Sequence, residues 1–135
     1  MTGLTQAPLK SIAKRYELRL MILFGSQVSG HVHPESDIDI AVWSERPLSA
    51  AQRTQLWFDL SNRFQAEIDL TVLNHAEPVL LHRVATTGHL LYEDKRGAWL
   101  DFKGYAFRYY QDSKKLRDDL ARYLQRELRG APDAR

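Results

Sequence analysis

Apolar residues in the first third of the chain follow two different spacings. Pro8–Arg19 carries them three or four residues apart, which predicts a short helix. The uninterrupted apolar run Leu20–Phe24 has the length of a buried strand. Asp37–Trp43 alternates between polar and apolar residues, so it predicts a half-buried strand with a polar face. Between them, Gly25–Glu35 holds two glycines, a proline and two serines and predicts a loop.

The middle of the chain predicts two more helices and two more strands. Ser49 is a suitable N-cap for a helix that runs to about Gln65. Ile68–Leu73 alternates like a strand, and Pro78–Thr87 predicts a helix. His89–Tyr92 predicts a further short strand.

Glycines mark the predicted helix ends in the second half of the chain. Gly88 follows Pro78–Thr87 at the position where glycine favours a helix C-terminus. Residues 95–129 have a helical pattern with leucines four residues apart, and Gly104 is expected to interrupt it. Two C-terminal helices are therefore predicted.

This order of elements predicts one α/β (α+β) domain over residues 1–135, with a small mixed β-sheet flanked by helices and followed by C-terminal helices. We expect a core at residues 8–95 and a helical region at residues 96–129. Most of four clustered aromatic side chains in that region are expected to pack in the core. The alternatives are a shelf for a nucleobase or a surface for a partner. These residues are Tyr105, Phe107, Tyr109 and Tyr110.

Composition narrows the functional classes. The chain has no cysteine, which excludes disulfides, thiolate metal sites and cysteine nucleophiles. Its formal charge is only +2, without the dense cationic stripe that a nucleic-acid binder needs, so no direct nucleic-acid binding is expected. Met1–Leu9 lacks the pattern of a signal peptide, and no apolar run approaches the roughly 20 residues of a membrane span. We expect a cytoplasmic protein that does not enter membranes.

Three aspartates carry the most specific chemistry. Asp37 and Asp39 stand two apart on a predicted strand, so their carboxylates project from one face and repel each other. A divalent cation relieves that repulsion, and hard carboxylate oxygens suit Mg²⁺ or Mn²⁺. Asp69 on the next predicted strand is positioned to join them. Three carboxylates of this kind can hold a pair of metal ions that activates a hydroxyl and orients phosphates.

A glycine and a serine precede the aspartates in a pattern that suits phosphate binding. Gly25 directly follows an apolar strand, and a residue without Cβ lets the backbone approach a phosphate closely. Ser26 offers a backbone N–H and a hydroxyl. No Gly-Lys-Ser/Thr sequence follows, which excludes a P-loop.

Gly25-Ser26, the ten-residue gap and Asp37-Ile38-Asp39 resemble the signature of the DNA polymerase β-type nucleotidyltransferase superfamily, and the short length resembles its minimal nucleotidyltransferase (MNT) branch. The resemblance covers about residues 10–95 and implies a nucleotidyltransferase fold. It implies that Asp37 and Asp39 bind both metal ions and that Asp69 completes the site and helps to deprotonate the acceptor. Gly25, Ser26 and Gly30 would bind the nucleotide.

One position departs from the family pattern. Members often have Gly-Ser-x-Ala-Arg-Gly, whereas Ser29 stands here in place of the arginine. A serine cannot bind phosphate bidentately as a guanidinium does, so this departure bears on the affinity for the nucleotide and on the choice of nucleotide. His31 and His33 could supply phosphate contacts, although ordinary loop histidines are the simpler interpretation.

The resemblance implies transfer of AMP from ATP, with Mg²⁺, to a tyrosine hydroxyl of a HEPN-domain ribonuclease toxin, which MNT antitoxins inactivate. A chain of 135 residues has little room for its own acceptor-binding domain, so a partner and a hetero-oligomer are expected. Two alternatives remain. The protein could neutralise a partner by contact alone, or it could modify a small molecule such as an antibiotic.

Overall fold

The computed structural model describes residues 6–25 and 38–130. Its helices and strands, in chain order, are α1 (Gln6–Arg15), β1 (Leu18–Phe24), β2 (Ile38–Ser44), α2 (Ala50–Phe64), β3 (Ile68–Val72), α3 (Pro78–Thr87), β4 (His89–Glu93) and α4 (Ala98–Gly130). The helices and strands predicted between residues 8 and 92 are present, with boundaries shifted by a few residues. None of the helices in this part of the chain is both long and apolar enough to span a membrane.

The four strands form one mixed sheet in the order β3-β2-β1-β4. β1 pairs antiparallel with both β2 and β4, whereas β2 and β3 are parallel. The predicted mixed sheet is therefore confirmed. β1 and β2 are its central strands, and β3 lies at one edge.

Helices cover both faces of the sheet. One core cluster joins α1 and α2 to the sheet face that includes Met21, Ile40 and Val42. The other joins α3 and α4 to the opposite face, through Ile22 and Ala41 among others. β2 is buried on both faces from Ile40 to Val42, so its predicted polar face is limited to the beginning of the strand.

Helix α2 begins as the sequence predicts. The Ser49 side chain accepts a hydrogen bond from the Gln52 N–H at 3.1 Å, and the Gln52 side chain accepts one from the Ser49 N–H at 2.9 Å. This reciprocal pair is a capping box, which satisfies donors that the first helical turn leaves open. The helix ends at Gln65 in a left-handed conformation.

The predicted break at Gly104 is wrong. Residues 98–130 form one helix, because a single glycine costs only about 1 kcal/mol in a helix interior. Phe102 and Ala106 are buried against the sheet on either side of Gly104 and hold the helix across it. Gly88 does follow α3, but its φ is −82° rather than left-handed. A side chain there would lie 2.5 Å from the Ile22 Cγ2 atom, so the glycine serves helix–sheet packing.

The expected core packing of the clustered aromatic residues on α4 is also wrong for most of them. Tyr105, Phe107 and Tyr109 expose 42%, 44% and 39% of their surface. Phe102 and Ala106, one turn apart, occupy the face that meets the sheet, so their neighbours project to its sides. Tyr110 is half-buried and stacks on His82 of α3, with ring centroids 4.1 Å apart.

Candidate active site

Two of the three predicted aspartates lie side by side in the structure. Asp39 on β2 and Asp69 on β3 are direct register partners in the parallel strand pair. Paired residues of neighbouring strands project from the same face, with backbones about 4.8 Å apart. Residues 30 positions apart in sequence are thus brought together by strand pairing, as the sequence analysis expected of Asp69.

Strand alternation determines the face on which these carboxylates lie. Ile38, Ile40 and Val42 belong to the cluster under α1 and α2, so Asp39 points to the opposite face, together with Ala41. Ile68, the neighbour of Asp69 on β3, also belongs to that cluster, so Asp69 points to the same face as Asp39. Asp39 is half-buried and Asp69 is exposed. The pair lies at the end of the sheet where β2 and β3 begin, and a solute can reach it. We call Asp39 and Asp69 together the acidic step.

Gly25 packs directly against the Asp39 carboxylate. Phe24, the last residue of β1, pairs with Asp39 across the strands, and Gly25 follows it with a φ of +87°. A Cβ atom at Gly25 would stand 2.0 Å from Asp39 Oδ2 and 2.8 Å from Asp39 Cγ. Both the left-handed backbone and the close contact with Asp39 therefore require glycine at this position. The predicted phosphate turn begins in contact with a predicted metal ligand.

A shallow groove on the α2 side borders Asp69, with Arg53, Trp57 and Leu70 among its lining residues. The Trp57 indole donates a hydrogen bond to the Ile68 carbonyl at 2.8 Å. This bond satisfies a backbone acceptor of the edge strand and holds β3 against α2. Trp57 thereby positions the residue next to Asp69.

Asp37, Ser26 and Gly30 lie outside the described residues, as do Ser29, His31 and His33. Within residues 6–25 and 38–130, no group of three or more His, Asp or Glu side chains comes together. The adjacent pair Asp39 and Asp69 nevertheless offers carboxylate oxygen donors of the kind that suit a hard divalent cation.

The structure adds a residue that the sequence analysis missed. Arg83 on α3 places its guanidinium carbon 5.8 Å from the centroid of the Phe24 ring. Phe24 is the cross-strand neighbour of Asp39, so Arg83 lies over a residue that is paired directly with Asp39. No motif links residues so far apart in sequence, and only the packing of α3 on the sheet reveals the relationship.

The sequence model described as Polymerase beta, Nucleotidyltransferase matches residues 8–97 of this chain. The chain belongs to this polymerase β nucleotidyltransferase family. The matched range contains the whole sheet and the acidic step, so the resemblance of Gly25-Ser26 and Asp37-Ile38-Asp39 to the superfamily signature is confirmed at the level of the family.

Two curated nucleotidyltransferases have similar sequences. The protein adenylyltransferase MntA of Shewanella oneidensis is 38% identical over 76 residues, which cover 56% of this chain and 55% of that protein. The protein of the same name from Aphanizomenon flos-aquae is 29% identical over 101 residues, or 67% of each chain. The aligned region thus spans little more than half the length of the Shewanella protein.

Chains in solved toxin–antitoxin structures resemble this chain over most of its length. A chain in a toxin–antitoxin complex crystallised with AMP-PNP superposes with a TM-score of 0.74 at 27% identity, covering 90% of this chain and 98% of that one. A chain in a complex of tri-AMPylated Shewanella oneidensis HEPN toxin with MNT antitoxin gives a TM-score of 0.68 at 26% identity, covering 93% and 99%.

Proposed function

We propose that this nucleotidyltransferase transfers AMP from ATP to a hydroxyl group, a tyrosine by preference, of a partner HEPN toxin and thereby acts as an antitoxin. The observation that carries the proposal is the alignment of Asp39 with Asp69 in register, with Gly25 packed on the Asp39 carboxylate. Similarity to two proteins named protein adenylyltransferase MntA and to a complex containing an AMPylated HEPN toxin supports the choice of donor and acceptor.

Each site residue has a distinct part in the proposal. Asp39 and Asp69, together with Asp37, would bind two Mg²⁺ ions, which neutralise phosphate charge and lower the pKa of the acceptor hydroxyl when bound. Mn²⁺ has the same ligand preference and could replace Mg²⁺. Gly25, Ser26 and Gly30 would bind the triphosphate through backbone N–H groups and the serine hydroxyl.

The reaction balances as a single displacement. The acceptor oxygen forms a bond to the α-phosphorus of ATP, the bond from that phosphorus to the bridging oxygen breaks, and pyrophosphate leaves. The acceptor proton passes to the Asp69 carboxylate, which is exposed and therefore accessible to an incoming hydroxyl. The chain's own contribution is to hold carboxylates, phosphate and hydroxyl in one geometry, which is the main requirement of phosphoryl-type transfer.

Helix α4 supports the proposal of a protein partner. It begins near the Leu20–Trp43 end of the sheet and reaches His82 near the Asp39 end, after which it continues to Gly130. This continuation is exposed and carries the leucines four residues apart that the sequence pattern identified (Leu116, Leu120, Leu124 and Leu128). In this interpretation residues 8–95 form the catalytic core of a single domain, and residues 96–129 help to hold a partner in a hetero-oligomer. The cytoplasm is the compartment that supplies ATP and Mg²⁺ to such a pair.

Transfer of a labelled AMP group tests the proposal. The protein is incubated with ATP labelled at the α-phosphate, Mg²⁺ and its proposed HEPN toxin partner, and label on that partner is measured. Asp39→Asn and Asp69→Asn should each abolish labelling. Asp101→Asn is the matched control, since this exposed carboxylate lies beside Trp43 at the opposite end of the sheet. Label on another acceptor but not on the HEPN protein would contradict the proposal.

Neutralisation by contact alone is the second candidate, and the exposed apolar side chains of α4 favour it. The same variants separate the two. If Asp39→Asn still inhibits the partner's ribonuclease activity as strongly as the unsubstituted protein, the interaction itself is sufficient. If inhibition requires the carboxylates, transfer is the mechanism.

A further inference from the structure

Arg83 occupies a defined place on the active face of the sheet. Its guanidinium lies over Phe24, which is only 5% exposed and forms the floor beneath it. Phe24 pairs with Asp39 on one side and is followed by Gly25. Side chains paired across strands have Cβ atoms about 5 Å apart, so the ring beneath the guanidinium is the direct cross-strand neighbour of Asp39.

The charge of Arg83 has no counterpart nearby in the described residues. No carboxylate of residues 6–25 or 38–130 lies within ion-pair distance of its guanidinium, whereas Arg15, Arg19 and Arg46 all have such partners. The Arg83 side chain is exposed. Its contact with Phe24 occupies the ring-facing side of the guanidinium, and its N–H groups are left for a ligand that approaches the acidic step.

The predicted phosphate loop supplies neither a lysine nor an arginine for an anionic ligand. Residues 26–37, which follow Gly25 and contain the predicted phosphate loop, include neither lysine nor arginine. A triphosphate brought next to Asp39 and Asp69 meets carboxylates, and side-chain cations that help metal ions to offset this repulsion come from outside the loop. Arg53 lines the groove on the α2 side of Asp69, whereas Arg83 lies over Phe24 on the face from which Asp39 projects. A guanidinium binds two phosphate oxygens with two parallel hydrogen bonds, which suits this place.

We propose that Arg83 is a nucleotide-binding residue that contacts the β- and γ-phosphates of the donor and, after transfer, the pyrophosphate leaving group. This proposal rests on the proposed function, since it names a further ligand of the same nucleotide. Phe24 acts as the platform that orients the guanidinium, and α3 supplies the arginine that the loop does not contain.

Nucleotide binding measured by calorimetry tests the proposal without any partner protein. The variant Arg83→Met keeps an apolar stem over Phe24 and removes the charge. We expect its ATP affinity to fall about tenfold or more, since hydrogen bonds between charged groups are lost. Affinity for AMP, which lacks the β- and γ-phosphates, should stay within about twofold. Arg83→Lys should be intermediate because the charge remains and the fork is lost.

Arg96→Met is the matched control. Arg96 is exposed and follows β4, whose residue Glu93 pairs with Leu20 at the end of the sheet remote from Gly25. The Arg96→Met variant removes the same charge at a remote place, so its ATP affinity should equal that of the unsubstituted protein. Thermal unfolding should verify that each variant folds. Unchanged ATP binding in Arg83→Met, or equal losses for ATP and AMP, would overturn the proposal and leave the proposed function intact. If the unsubstituted protein bound no nucleotide, both would fail.

Discussion

Gly25 offers the sharpest test of how the backbone shapes this site. Replacement by alanine would introduce a Cβ atom 2.0 Å from Asp39 Oδ2, 2.8 Å from Asp39 Cγ and 3.1 Å from Asp39 Cβ. These distances are too short to be relieved by a small shift of the carboxylate oxygen alone. The Asp39 side chain must rotate away from its position beside Asp69. Gly25→Ala therefore acts on the acidic step although the substituted residue carries no functional group.

The expected loss of stability has two parts. A φ of +87° costs a residue with a Cβ atom about 1–2 kcal/mol. Forcing the Asp39 side chain from its rotamer adds about 0.5–1.5 kcal/mol. Gly97→Ala is the matched control, because Gly97 has a φ of +95° and nothing within 4 Å of its Cβ position. Gly97→Ala should lose only the backbone contribution to stability, whereas Gly25→Ala should lose about 2–3 kcal/mol of the free energy of unfolding.

Urea unfolding and ATP binding in the presence of Mn²⁺ measure the two consequences. Gly97→Ala should unfold at lower urea and bind nucleotide normally. Gly25→Ala should be less stable still and should lose nucleotide affinity at concentrations of urea where it remains fully folded. If the two variants were equally destabilised and both bound ATP normally, the contact between Gly25 and Asp39 would have no role in the site.

Three further predictions concern the scaffold. Ser49→Ala should lower the free energy of unfolding by about 1 kcal/mol in urea denaturation, because the capping box at α2 is lost. Gly104→Ala should raise it by about 0.5–1 kcal/mol, since the new Cβ atom meets only the flexible end of Arg108 at 3.2 Å. Burial, and then the hydrogen bond to Asp59, raise the pKa of Tyr16 above its usual value. The folded state therefore holds the Tyr16 proton more tightly, and this part of stability is present below about pH 10 and lost as pH rises through the folded pKa. Denaturation across that pH range should show a smaller decline in Tyr16→Phe than in the unsubstituted protein.

Local signals in the sequence were sufficient for most of the scaffold. Ser49 identified the beginning of α2 because a cap depends on residues within one turn. Alternation around Asp69 identified β3 and the face on which the carboxylate lies, since period-two patterning reflects one-sided burial. The juxtaposition of Asp39 and Asp69 followed from expecting their strands to be neighbours.

Properties that depend on packing between distant segments were not accessible in the same way. Gly88 is required by the approach of α3 to Ile22 rather than by the end of the helix. Gly104 does not stop α4, because burial of Phe102 and Ala106 outweighs its low helix propensity. Arg83 has no sequence signal at all, since its relationship to Asp39 passes through Phe24 on another strand.

Mass spectrometry of the proposed HEPN partner tests the central claim most directly. After incubation with ATP, Mg²⁺ and the unsubstituted protein, the partner should gain the mass of AMP on a hydroxyl side chain and lose ribonuclease activity. With Asp39→Asn it should gain no AMP and remain active. An unmodified partner that is nonetheless inhibited, or equal modification by Asp39→Asn, would contradict the account of this site as the centre of AMP transfer.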